Sequence, residues 1–103
     1  MISFLGLAVT GMQPFVAAAP LNLVYVADRS KAKGVSDDLW TLYSAADAAF
    51  VSQNIYLFCA SENLATVVRG LVDRKALAEV LKLPEQKSVI LTQTIGYPPM
   101  QAR

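Results

Sequence analysis

Apolar positions follow two different rhythms along this chain, and the changes of rhythm mark its elements. Residues 21–27, "LNLVYVA", are β-prone and almost continuously apolar, which suits a strand covered on both faces. Pro20 pushes Ala19 into extended geometry, so the chain enters that strand already straightened. "DRSKAKGVS" then breaks the run as a polar loop, with Gly34 its turning point. Ser36 caps the next element, and Asp37 and Asp38 place negative charge at the positive end of a helix. No proline or glycine interrupts before Glu62, which predicts a helix of about 26 residues, roughly 39 Å long. Between Ala45 and Ala60 apolar and small side chains occupy nearly its whole circumference. A helix apolar all round is expected to be buried all round, as a central element or an oligomer seam.

Asn63 is the expected helix stop, because asparagine tolerates the left-handed conformation of a C-terminal cap. "LATVV" reads as a short extended segment. Asp73 follows as an N-cap, with Val72 and Leu77 at the spacing of a hydrophobic staple. The helix from Arg74 to Leu83 should bury Leu77, Val80 and Leu81 and stop before Pro84. "KSVILTQTIGYP" is the last strand, β-branched and closed by Gly96 and Pro98. Strand, helix, strand, helix, strand in this order ordinarily implies a parallel α/β unit. Three strands around one very long helix would nevertheless leave apolar surface uncovered.

Composition sharpens that point. The 103 residues form a single domain, 1–103, with 54% hydrophobic and only 17% charged residues. A domain this small buries roughly 60–70% of its unfolded surface, so part of the apolar content calls for a partner. The net charge is +1, and the basic residues form no run and no stripe interleaved with aromatics, which argues against nucleic acid. Cys59 is the single cysteine and histidine is absent, so disulfides, Cys-rich or His metal sites and His acid–base chemistry are excluded together. Cys59 lies within "IYLFCA" and is expected to be a packing residue.

Two segments invite a membrane or export reading. "MISFLGLAVTGMQPFVAAAP" has Ala17-x-Ala19 before Pro20 but no basic start, so a cytoplasmic location is expected. Leu39 to Ala60 is long enough to span a bilayer, but Asp47, Gln53 and Asn54 stand near its middle. An aspartate alone costs ~2.5–3.5 kcal/mol at a bilayer centre, which favours a buried helix outside the membrane. Asp47 is then a buried carboxylate needing a partner, expected at a neighbouring chain or loop. Gln53 and Asn54 read as interface or core amides. The five glycines make neither G-x-G-x-x-G nor a Walker A loop. Arg69-Gly70 is more informative: Arg69 is the only charge in "NLATVVRGLV", and Gly70 permits close approach to the backbone. The pair is either a strand-end turn with a solvated arginine or a backbone edge lying against a flat ligand.

The ordered set "AP" into an apolar strand, "SQNIYLFCASE", "LATVVRG" with "VDR", and a strand ending "IGYP" resembles the C-terminal half of the FMN-dependent nitroreductase family. The resemblance runs from Thr10 to Pro98. It implies an α+β fold with a mixed, mainly antiparallel sheet packed on a long central helix, in place of the parallel unit. It further implies a homodimer or higher oligomer with that helix at its seam and FMN between subunits. Val67, Val68, Arg69 and Gly70 would line the flavin ring, and Arg103 would help to hold the phosphate. No side chain is expected to be an obligatory catalyst, and no metal is expected. The implied activity is NAD(P)H oxidation with hydride passed through FMN to a small electron acceptor. The second reading is a non-catalytic interaction domain that oligomerises without flavin. The family's Arg-Ser-x-Arg-type phosphate motif has no counterpart in the sequence, and Asn63 stands where the family usually has glycine.

Overall fold

A computed structural model describes residues 2–4 and 18–99. Its centre is a four-stranded sheet in the order β1-β2-β4-β3, where β1 is Ile2–Phe4, β2 is Leu21–Asp28, β3 is Ala65–Arg69 and β4 is Lys87–Gly96. Every pairing is antiparallel, which corrects the parallel arrangement suggested by element order. The physical reason lies in the connections. The helix between β2 and β3 does join two strands that run the same way, but β4 lies between them and is antiparallel to both. The short β1 pairs Ile2 with Val24 and Phe4 with Asn22, a strand that the sequence pattern did not reveal.

The long helix α1 spans Asp37–Ser61 and the short helix α2 spans Arg74–Leu81. Both start as the sequence predicts. The Ser36 hydroxyl accepts from the Leu39 amide at 3.2 Å, and the Asp73 carboxylate accepts from the Ala76 amide at 3.0 Å. Asn63 has φ of 56°, in the left-handed region, just beyond the end of α1. Lys82 does the same after α2, with φ of 55°.

The helices take opposite faces of the sheet. On one face Leu77 of α2, with no accessible surface, packs with Val72, Val24 and Val89, so the predicted staple forms part of an aliphatic core. Val80, expected in that core, is exposed, because its direction on the helix points past the sheet. On the other face α1 meets the sheet through Ala48, Ser52 and Cys59, three small residues on one stripe. Between Tyr25 and Val26 the β2–β4 register shifts by one residue. The carbonyl of the displaced Ile90 accepts from the Arg74 guanidinium at 2.8 Å, which satisfies a group the ladder leaves over. Arg29 fastens the β2–α1 loop by donating to the Ala32 and Val35 carbonyls, both at 2.7 Å, and to Asp37 at 3.1 Å. Its guanidinium also lies 5.6 Å from the centre of the Trp40 ring.

Candidate functional site

Val67, Val68, Arg69 and Gly70, singled out in the sequence, fall on and just after β3, one of the two edge strands of the described sheet. Its ladder with β4 sets Val67 opposite Thr94, Val68 opposite Gln93 and Arg69 opposite Thr92. Successive side chains therefore alternate between the α1 face and the α2 face. Val67 is exposed, Val68 half-buried, and Gly70 exposed at the strand's end. Among the described residues a Cβ built on Gly70 would meet only the Leu91 Cδ2 atom, at 3.9 Å, so they leave the space above its main chain open. Arg103 lies outside the described residues.

Of the two sequence readings of Arg69, the solvated turn residue does not hold. It is 4% exposed, and its Nε donates to Thr94 Oγ1 at 2.6 Å. Thr94 Oγ1 in turn donates to Asn22 Oδ1 at 2.8 Å. Burial pulls the guanidinium pKa below its ordinary value. The arginine thus holds β2, β4 and β3 together from inside, and the strand's outer surface is left to aliphatic side chains and main chain.

A second polar network lies beneath α1. The Tyr25 hydroxyl donates to Gln93 Oε1, while Gln93 Nε2 donates to Thr66 Oγ1 at 3.1 Å and to the Ser52 carbonyl at 3.4 Å. Thr66 Oγ1 donates to the Thr94 carbonyl at 2.8 Å. Burial is the main cause that pushes the Tyr25 pKa up to about 12, with the nearby Cys59 and Tyr56 adding to it. Cys59 is buried, and burial raises its thiol pKa, as expected of a packing cysteine. None of these polar residues except Cys59 was singled out in the sequence. The signal was present in Thr92-Gln93-Thr94, three polar residues in the middle of a strand covered on both faces.

Asp47 lies on the outward side of α1. It was expected to be buried against a neighbouring chain or loop; no loop of this chain among the described residues covers it, and within the chain it is exposed, as are Gln53 and Asn54, expected as interface or core amides. Helical geometry explains this. Leu39, Tyr43, Phe50 and Leu57 form a stripe opposite Ala48, Ser52 and Cys59, and Asp47 and Asn54 lie beside it. Phe50 is 70% exposed and Leu57 61% exposed. The helix rests on the sheet through its small residues and turns its large apolar ones outward.

Two clefts border these surfaces. One, of about 390 Å³, runs between β2 and the first half of α1 and is walled by Tyr25, Ala27, Trp40, Tyr43, Asp47 and Val51; no predicted site residue lines it. The other, of about 430 Å³, lies at the start of β3 and includes Pro20, Ala65, Thr66, Val67, Gly96 and Tyr97, with no basic side chain among the described residues that line it. Among the described residues no group of three or more His, Cys, Asp or Glu side chains could hold a metal ion. No helix among them is long and apolar enough to cross a membrane.

The comparisons with known proteins agree with this architecture. A candidate nitroreductase of Methanocaldococcus jannaschii is 30% identical over 79 residues, covering 77% of this chain and 40% of that protein. A crystal structure of a candidate nitroreductase from Ralstonia eutropha superposes with a TM-score of 0.80 at 43% identity, over 86% of this chain and 42% of that one. The NADPH:FMN oxidoreductase of Vibrio harveyi, solved with NAD+, superposes with a TM-score of 0.73 at 26% identity, over 92% of this chain and 46% of that one. The chain thus spans less than half the length of these relatives. The nitroreductase family model matches residues 5–97, and the chain belongs to the nitroreductase family.

Proposed function

We propose that the chain acts as an FMN-dependent NAD(P)H oxidoreductase of the nitroreductase type, as a homodimer joined through the outward stripe of α1. The observation that carries this reading is the surface of β3, an edge strand running into a glycine with open space above it. A planar ring fits such a surface. Val67 and Leu71 are exposed aliphatic side chains on either side of Gly70, and Arg69 is turned into the sheet. When bound, FMN supplies the hydride carrier between NAD(P)H and a small acceptor.

The chain's own residues then have limited tasks. Val67 and Leu71 offer apolar contact, and the main chain at Gly70, where the ladder with β4 has ended, offers hydrogen-bonding groups. Arg103 is proposed to help hold the phosphate. The exposed stripe of Leu39, Tyr43, Phe50 and Leu57 supports the dimer, since obligate interfaces resemble a domain core cut in half and commonly bury over ~2,000 Å². The relative from Vibrio harveyi, named for both NADPH and FMN, supports the cofactor pair.

A second reading keeps the seam but not the flavin, making the chain an interaction domain. Among the described residues, the lining of the cleft beside β3 offers no basic side chain for a phosphate. Titration of FMN into wild type and Gly70→Val separates the two. The open space at Gly70 lets the variant fold, so it should remain dimeric while FMN affinity falls by two orders of magnitude or more. Wild type that fails to bind at ~1 mM, equivalent to about −4 kcal/mol, would establish the interaction-domain reading instead.

A further inference from the structure

We infer that Tyr56 is a positioning residue for the cofactor-facing backbone, an inference that rests on the flavin reading above. Tyr56 belongs to α1, yet its hydroxyl accepts a hydrogen bond from the main-chain amide of Val68 at 2.8 Å. β3 is an edge strand, so alternate amides point away from β4 and have no ladder partner. Val68 holds one of these outward amides, and both it and Tyr56 are half-buried, where an unpaired amide is costly. The tyrosine hydroxyl fills that vacancy from the side of the helix.

The consequence concerns the two residues that follow. Gly70 lies two positions beyond Val68, about 7 Å along an extended chain. Arg69, between them, is held from the other face by Thr94. The segment is therefore clamped twice, once through the Arg69 side chain and once through the Val68 amide. Tyr56 sets its distance from α1, the helix that carries the apolar seam. It thus links the subunit seam to the backbone beside the ring, and fixes where the peptide groups of this segment stand relative to a bound flavin. A peptide dipole held in place stabilises the reduced, anionic ring better than one free to swing.

Tyr56→Phe keeps the ring and removes only the acceptor. The variant should still fold, with its thermal midpoint lowered by several degrees for the amide left unpaired. Hydrogen exchange at the Val68 amide should accelerate at least ~10-fold, while that of Arg69, paired with Thr92, stays slow. The Kd for FMN, followed by quenching of flavin fluorescence, should rise about five-fold, the worth of one hydrogen bond. The midpoint potential of the bound flavin should move to more negative values. Wild-type Kd and potential beside faster Val68 exchange would overturn the positioning role. So would unchanged exchange at Val68, or a variant that fails to fold, since the hydroxyl would then serve stability. Wild type that binds no FMN would remove the flavin reading and this inference together, whereas a binding wild type matched by Tyr56→Phe would remove this inference alone.

Discussion

The two helices of this chain are covered in opposite ways. α2 has eight residues, and its fully buried Leu77 sits in an aliphatic core shared with Val24, Val72 and Val89. α1 has 25 residues, yet buries only Ala48, Ser52 and Cys59 against the sheet, over a polar network built on Gln93. The short helix finds its complete environment inside the chain. The long one places its small residues inward and leaves Phe50 and Leu57 largely exposed. Apolar content alone therefore does not report how well a helix is packed within its own chain; the size of the side chains on each face does.

The largest effect should come from attacking the outward face of α1. Phe50→Glu combined with Leu57→Glu leaves the sheet-facing stripe untouched but places charge where a second subunit is proposed to pack. An uncompensated charge in an interface costs several kcal/mol, so the dimer Kd should rise by at least ~1,000-fold, about 4 kcal/mol. Sedimentation at low micromolar concentration reads the outcome. A wild type that already sediments as a well-folded monomer would end the assembly argument and leave the contrast between the helices unexplained.

Next in size is Leu77→Ala on α2. Removing a fully buried leucine side chain should cost about 2–5 kcal/mol, according to how far Val24, Val72 and Val89 relax into the space. Urea denaturation at fixed protein concentration measures it. A loss below ~1 kcal/mol would show that the aliphatic side of the sheet is not where the chain's own stability is concentrated.

These contrasts also show what could be read from the sequence. Both N-caps, the Asn63 stop and the Val72–Leu77 staple were legible because each is a local signal within a few residues. The direction of the strands was not legible in the pattern, since pairing β2 with β4 joins residues far apart in sequence that no periodicity connects; only the family resemblance implied the mainly antiparallel sheet that is found. The circumference of α1 was read correctly as apolar, but the rule that such a helix is buried all round concerns its final surroundings. Within the chain it failed for Asp47, which shares the outward face. At the candidate site the segment Val67 to Gly70 was legible as an edge, whereas the inward turn of Arg69 was not. That turn depends on Thr94 and Asn22, which reach Arg69 only once the sheet has formed. Tyr56 gave no sequence signal because its partner is a backbone amide.

A third prediction probes the polar side of the sheet through pH. Burial raises the folded-state pKa of Tyr25 from 10.0 to about 12. The folded protein therefore holds the phenol proton more tightly than the unfolded chain does. The corresponding stability is fully present below pH ~10 and is lost as pH rises from there through ~12. Tyr25→Phe removes both the proton and the bond to Gln93. Its stability should be lower than wild type near neutrality, and the difference should shrink across the alkaline range. Chemical denaturation at a series of pH values checks the sign. A wild-type curve no steeper than that of Tyr25→Phe above pH ~10 would place the Tyr25 phenol in a more open setting.

The smallest effects should appear at the caps, where the two helices can be compared by the same chemistry. Ser36→Ala and Asp73→Ala each remove one side-chain acceptor from a helix N-terminus, a loss of about 1 kcal/mol in either case. The helices should spend that loss differently. α2 has only eight residues and is anchored by Leu77, so its first turn cannot open without disturbing the aliphatic core. Asp73→Ala should therefore lower global stability by close to the full amount. α1 begins well before its first buried contact at Ala48, and Arg29 still reaches the loop carbonyls and Asp37 there. Its first turns can fray alone, so Ser36→Ala should accelerate hydrogen exchange from Leu39 to Thr41 while moving the denaturation midpoint much less. Equal shifts in the midpoint for both variants would mean that the start of α1 is as tightly coupled to the sheet as α2 is.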